Sequence, residues 1–264
     1  NSEIISVDNS TTYDYAAIQL NNDLYGNVAN GTVVNVYGGT ITALNDNGEP
    51  SNVVANATET GVVNISDETV ITGKVLNYVA NIGGAYFGSL QAAVNAIEKH
   101  GYNSPIVIMK NFATSEATTI KSGLKVTINL NGKTITGSFA KSFGAVITVN
   151  EGASLNISGG TVNSTAVNGG AAILNNGETI IENATIVGAP SNTATGTASY
   201  AVNTNGVGSK LVVKNTNISG RGAIGATNGT KVEVNGGTYH TPAVAWGHAI
   251  YANGEGTEVV INDG

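Results

Sequence analysis

One short unit recurs along this chain, and that recurrence constrains the fold more than any other feature. An apolar strand runs into an Asn-Gly-type turn, a second alternating strand follows, and a Gly-Gly-Thr or similar corner leads to another apolar residue. Residues 126–137 read VTINLNGKTITG, residues 145–163 read AVITVNEGASLNISGGTVN, and residues 222–240 read GAIGATNGTKVEVNGGTYH. The corner position falls at Thr134, Thr161, Thr185, Asn217 and Thr238, with spacings of 27, 24, 32 and 21 residues. An uneven period of this size suits strands that hold register while the corners between them vary in length.

Within each strand, apolar and polar residues alternate, as at Val34 and Val36 or Val232 and Val234, so one face is buried and the other wetted. Asn-Gly and Gly-Gly supply the positive φ that tight corners need. A single turn of chain cannot bury its apolar face, whereas stacking successive turns buries all of them and pairs the strand edges. Antiparallel hairpins compete for the same Asn-Gly signal. Each unit resembles the next rather than a mirror partner, which favours parallel stacking. The expected fold is therefore all-β: a right-handed parallel β-helix, or solenoid.

One segment departs from the pattern. Ser89 is an N-cap candidate, Leu90, Ala93, Val94 and Ile97 fall on one helical face, and Gly101 ends the run. The spacing predicts one short α-helix near residues 89–100, followed after Pro105 by a buried strand from Ile106 to Met109. An amphipathic helix ahead of a new run of repeats is expected to cap the open end of the stack that follows it. We therefore divide the chain into residues 1–79, the terminal coils of a first stack, and residues 80–264, a second stack with its own capping helix. The chain opens on Asn1 and stops at Gly264 within a repeat, and we read it as a mature fragment of something longer, truncated at the C-terminus.

Composition narrows the functional classes. Charged residues are 11% of the chain and the net charge is −7, with a single arginine, Arg221. Nucleic-acid binding needs a basic stripe that displaces counterions from phosphate, and none is present. No apolar run reaches the ~18 residues of a membrane-spanning helix. There is no cysteine, so disulfides and thiolate metal sites do not arise. At 41% hydrophobic the chain has the apolar content to build a core, unlike a disordered polar tract.

The run from 86 to 137, in which YFGSLQAAVNAI leads to IVIMKNF and then to KVTINLNGKTITG, resembles the pectin-lyase-like right-handed β-helix repeats of bacterial cell-surface and adhesin-like proteins. The resemblance implies an extracellular or cell-surface location, and partners among host or cell-wall glycans, surface proteins and neighbouring modules of a longer chain. That superfamily also contains polysaccharide lyases and hydrolases, and fold alone does not choose between them.

Cleavage of a sugar linkage needs two positioned carboxylates, or a carboxylate-bound cation with a basic residue. No Asp lies between Glu68 and Asn262, and no Asp-Asp pair is present, so no catalytic residue is assigned. The stretch 220–225, Gly-Arg-Gly-Ala-Ile-Gly, matches a dinucleotide-type glycine pattern, but that pattern works only between a strand and a helix, and strands flank it here. The strongest binding candidate is the stretch 239–251. It holds the sole tryptophan and two of the three histidines. Aligning the Ala-Ile steps at 223–224 and 249–250 puts Gly222 and His248 in one column and Arg221 beside Gly247. Arg221, Tyr239, His240, Trp246, His248 and Tyr251 are the candidate ligand-binding residues, forming an aromatic platform with polar neighbours of the sort that holds small ligands such as sugars. The eight-residue separation of His240 and His248 fits no standard metal spacing, and neither a metal nor a cofactor is assigned.

The expectation is a non-catalytic extracellular β-helix serving as a surface stalk, adhesin or surface-layer component. The alternative is a polysaccharide-active or carbohydrate-binding β-helix using the 239–251 face.

Overall fold

The computed structural model describes residues 3–8, 16–20, 32–45, 52–56, 62–66, 68–76, 79–83, 85–137, 144–165, 170–189, 200–241 and 247–263. The described chain is built mostly of strands, with one helix, and includes a long sheet of parallel strands. Its contacts separate two compact units, Asn1–Ser104 and Pro105–Gly264. The sequence reading put the division at 79/80 instead.

In the Pro105–Gly264 unit three strand segments make up a repeat, each pairing with its counterpart in the next repeat; in the later repeats the first two segments merge into the single strands Lys210–Ser219 and Lys231–His240. The first ladder runs through Ile106–Ile108, Lys125–Asn129, Ser154–Ser158, Glu178–Glu182, Lys210–Ser219, Lys231–His240 and Glu258–Asp263, all parallel. A second parallel ladder runs through Phe112–Thr114, Thr134–Gly137, Thr161–Ser164 and Thr185–Val187 into the second halves of Lys210–Ser219 and Lys231–His240. A third joins Thr118–Ile120, Ala145–Val149, Ala171–Asn175, Tyr200–Asn205, Gly222–Thr227 and Ile250–Asn253.

The register keeps like residues in line. Ile106, Ile128, Ile157, Ile181, Val213, Val234 and Ile261 are consecutive partners. The first six of them are buried, while Ile261, on the last described strand, is 60% exposed. Each interior aliphatic side chain packs against its counterparts above and below, removing apolar surface from water at about 25 cal/mol per Å². The corner column read from sequence is also a register column: Thr134, Thr161, Thr185, Asn217 and Thr238 are successive partners.

The bend between first and second ladders has one backbone solution. Asn131, Gly159, Asn183, Asn215 and Gly236 follow the first-ladder segment in five repeats, with φ of 51, 74, 50, 47 and 81°. Asparagine and glycine tolerate this left-handed conformation, which would cost most side chains about 1–2 kcal/mol. The turn from third ladder to first is closer still. At Gly177 any Cβ would overlap the carbonyl oxygens of Asn150 and Ala153 in the preceding repeat.

The interior also holds polar residues, among them Ser164, Asn175, Thr204 and Thr216. Asn175 shares a column with Ile120, Val149, Thr204 and Ala226 and is fully buried. Its Nδ2 donates to the Lys210 carbonyl at 3.0 Å. Its Oδ1 accepts from the Gly177 amide at 3.2 Å and from Thr179 Oγ1 at 2.8 Å. The side chain thus ties its own turn to the next repeat.

The Asn1–Ser104 unit also contains parallel ladders. Glu3–Asp8, Gly39–Asn45 and Thr69–Thr72 form one, Ala16–Leu20, Asn52–Asn56 and Lys74–Leu76 another, and Val33–Val36 pairs with Val62–Ile65. A departure from all-parallel pairing follows. Ala85–Phe87 runs antiparallel to both Val62–Ile65 and Ala80–Ile82. The two-residue Gly-Gly connection at 83–84 accounts for it, since so short a link permits only a hairpin.

Helix α1, Leu90–His100, has the ends read from sequence. The Ser89 side chain accepts from the Ala92 amide at 3.1 Å, and Gly101, at φ 68°, donates to the Ile97 carbonyl. Its buried face is Leu90, Ala93, Val94 and Ala96. Ile97 is only half-buried, because the helix is rotated slightly from the face the apolar spacing suggested. The helix belongs to this unit and packs on Ala80–Ile82 and Ala85–Phe87.

Candidate functional site

The residues singled out in sequence separate into two groups. In the third ladder, Tyr200 is the partner of Gly222, and Gly225 is the partner of Tyr251. Continuing the Ile224–Ile250 register sets His248 beside Gly222, and the Ala223 amide donates to the His248 carbonyl at 3.1 Å. The column expected from the two Ala-Ile steps is thus the register of the fold.

The strand between the two tyrosines carries glycine at both critical places. A Cβ on Gly222 or Gly225 would run into the Tyr200 ring. Because neither has one, the Tyr200 ring lies across Gly222–Thr227 and meets Tyr251 from the strand beyond. Their centroids are 5.7 Å apart and the planes 19° from parallel. His248 tilts against Tyr251 at 5.5 Å and 47°. Tyr200 is buried at 7% exposure, while Tyr251 and His248 remain partly open.

Arg221 precedes Gly222 and is buried at 7% exposure, and its carbonyl accepts from Thr241 Oγ1 at 2.6 Å. Burial, reinforced by the neighbouring Tyr251, pushes the Tyr200 hydroxyl up to about 12; the Arg221 charge opposes this without reversing it. His248 Nδ1 is buried with no hydrogen-bond partner among the described residues. Such an atom carries a desolvation cost that a polar ligand atom would relieve.

The other candidates lie elsewhere. Tyr239 partners Ile218 at the end of the column of Phe112, Ile135, Val162, Ile186 and Ile218. It is a half-buried residue continuing that column, its hydroxyl donates to the Gly236 carbonyl at 2.8 Å, and burial raises it to about 12. His240 is exposed, partners Ser219, and accepts at its carbonyl from the Gly220 amide. Trp246 lies outside the described residues. The stretch 220–225 follows the strand Lys210–Ser219 and runs into the strand Gly222–Thr227, with no helix after it.

Sequence reasoning missed Tyr200. Its signal was a large aromatic in a column otherwise filled by Ala145, Ala171 and Gly222, with glycine on the adjoining strand to make room.

No family profile, no curated protein and no solved structure matches this chain. Its chemistry must be argued from its own residues. Three carboxylates of the first ladder stand opposite lysines: Glu178 faces Lys210, Glu182 faces Lys214, and Glu258 faces Lys231 with Nζ–Oε2 at 3.6 Å. Among the described residues no three His, Cys, Asp or Glu side chains gather as a metal site. A shallow trough of ≈ 840 Å³, lined by Ser122, Asn150, Glu151, Asn176, Asn205 and Val207 among others, holds one carboxylate, Glu151.

The tyrosine environment gives a testable pH dependence. Both Tyr200 and Tyr239 are expected to ionise near pH 12 in a spectrophotometric titration, against 10.0 for an unperturbed phenol. A folded-state value raised above the unfolded one contributes stability that is complete below pH 10 and is lost as pH rises through about 12. Denaturation midpoints should therefore fall across that window, and the late absorbance step should weaken in Tyr200→Phe.

Proposed function

We propose that this chain is a stretch of right-handed parallel β-helix that acts outside the cell as a non-catalytic scaffold, as a stalk, adhesin or surface-layer component. The observation that carries the reading is the column of the first ladder, in which seven parallel strands keep an aliphatic residue at one register position and the first six of these residues are buried. Parallel strands joined in one sheet by crossovers are right-handed in nearly all proteins. A stack of this kind is a spacer that grows by adding repeats. The register pairing of Glu178, Glu182 and Glu258 with lysines supports a structural use of those charges. The resemblance of residues 86–137 to pectin-lyase-like surface repeats supports the location.

A second reading has an observation of its own. The partly open Tyr251 and His248, backed by Tyr200, form an aromatic surface with an unpaired buried nitrogen beside it. Sugars bind such surfaces through ring stacking and a few polar contacts. Incubation of the chain with neutral and acidic polysaccharides is expected to release no reducing ends or unsaturated products; sustained turnover would overturn the non-catalytic reading. On the second reading, glycan-array binding is saturable and drops roughly two- to tenfold in Tyr251→Ala, the loss expected when a stacking contact of about 0.5–1.5 kcal/mol is removed. Binding unaffected by that substitution removes the patch from consideration.

A further inference from the structure

We infer that Asn253-Gly254 is a site of spontaneous deamidation, which the fold suppresses at its other described Asn-Gly corners. In this reaction the backbone nitrogen of the glycine attacks the asparagine side-chain Cγ. The new N–C bond closes a five-membered imide as the nitrogen loses its proton to solvent and the side-chain amide departs as ammonia. Water then opens the imide at either carbonyl, leaving aspartate or isoaspartate. A glycine amide held in a hydrogen bond must first be released, and a side chain fixed by its own bonds must first turn.

Six Asn-Gly pairs lie among the described residues, at Asn131, Asn176, Asn205, Asn228, Asn235 and Asn253. The glycine amide is occupied in four, three times by the next repeat and once by a side chain of its own turn. Gly132 donates to the Gly159 carbonyl, Gly177 to Asn175 Oδ1, Gly206 to the Thr227 carbonyl, and Gly229 to Thr257 Oγ1. At the fifth pair the side chain is held, with Asn235 donating to Glu233 and accepting from Asn262. Asn253-Gly254 has neither restraint among the described residues. The Gly254 amide has no acceptor, the Asn253 side chain has no partner, and both residues are exposed. Gly254 holds φ at 96°, and a Cβ there would press on Asn228, so the fold keeps at this position the residue that lets the attack proceed fastest. Conversion adds a negative charge beside Glu255, in a segment that also carries the Lys231–Glu258 ion pair.

The test is peptide mapping of the folded chain over weeks at neutral pH, scoring isoaspartate at the six sites; the pairs at Asn30, Asn47 and Asn168 lie outside the described residues and do not enter the comparison. Asn253 is expected to react roughly tenfold faster than any of the other five, the factor set by one hydrogen bond that need not be broken. In the denatured chain the six rates should converge. Thr257→Val combined with Asn205→Ala, which removes both the acceptor of the Gly229 amide and the Oδ1 that holds the Asn228 side chain, should raise the rate at Asn228 while Asn253 stays fast. An interior corner that keeps pace with Asn253 in the folded protein, a ranking that persists after denaturation, or an unchanged Asn228 in that double variant would each overturn the inference.

Discussion

Ile157→Ala is expected to lower the unfolding free energy of the Pro105–Gly264 unit by about 2–5 kcal/mol, read as an earlier midpoint in guanidinium followed by far-UV circular dichroism. Ile157 stands in the middle of the first-ladder column, between Ile128 and Ile181, and is almost fully buried. Truncation removes the transfer gain of its side chain and also leaves a void. Neighbours in the column are anchored by strand hydrogen bonds on both sides and cannot collapse into it, so the cost belongs at the upper end of that range. The same truncation at Ile261, which is 60% exposed on the last described strand, should cost under about 1 kcal/mol. Equal losses at the two positions would mean that burial in the column is not what holds the repeats together.

The second large effect sets hydrogen bonding against hydrophobic burial. Asn175→Val would make its column more aliphatic, which by side-chain transfer alone favours the variant by about 1–2 kcal/mol. It would also orphan the Gly177 amide, the Lys210 carbonyl and the Thr179 hydroxyl, all of which now bond to Asn175. Each buried group left unpaired costs about 1–3 kcal/mol, so the losses win and a net destabilisation of about 2–4 kcal/mol is expected. Adding Thr179→Val should recover part of it by removing one orphan. The two backbone groups remain, so recovery should be incomplete. A variant as stable as the parent would show that the turn finds other partners and that Asn175 is not its anchor.

These two positions show what could be read from the chain beforehand. Ile157 lies in the alternating run 155–157 and repeats a slot filled at Ile128 and Ile181; local periodicity was enough to place it inside. The corner column from Thr134 to Thr238 was legible for the same reason, since each repeat must meet the same backbone bend. Asn175 was not legible. Its neighbours Asn176 and Gly177 make an ordinary turn signal, and only the stacked repeats reveal that Asn175 faces inward. The hairpin at 80–87 was hidden because Gly-Gly serves corners and hairpins alike.

The candidate site divides along the same line. Column arithmetic brought Arg221, Gly222, His248 and Tyr251 onto neighbouring strands, since parallel register follows sequence offset. It could not separate Tyr239, which belongs to a core column, because an aromatic at the end of a ladder looks the same in sequence as one on a surface. Nor could it find Tyr200, whose meeting with Tyr251 depends on two glycines of the strand between them. That contact spans three repeats and leaves no local pattern.

The most direct test of the stacked parallel arrangement is a set of spin-label distances along one outward column. Lys125, Ser154, Glu178, Lys210, Lys231 and Glu258 are successive register partners on the first ladder, and the absence of native cysteine makes paired cysteine labels straightforward. With one label at Lys125 and the other moved in turn to Lys210, Lys231 and Glu258, the separation should grow by about 4.8 Å at each step. A separation that stays level or shortens as the second label moves toward Glu258 would contradict the stack.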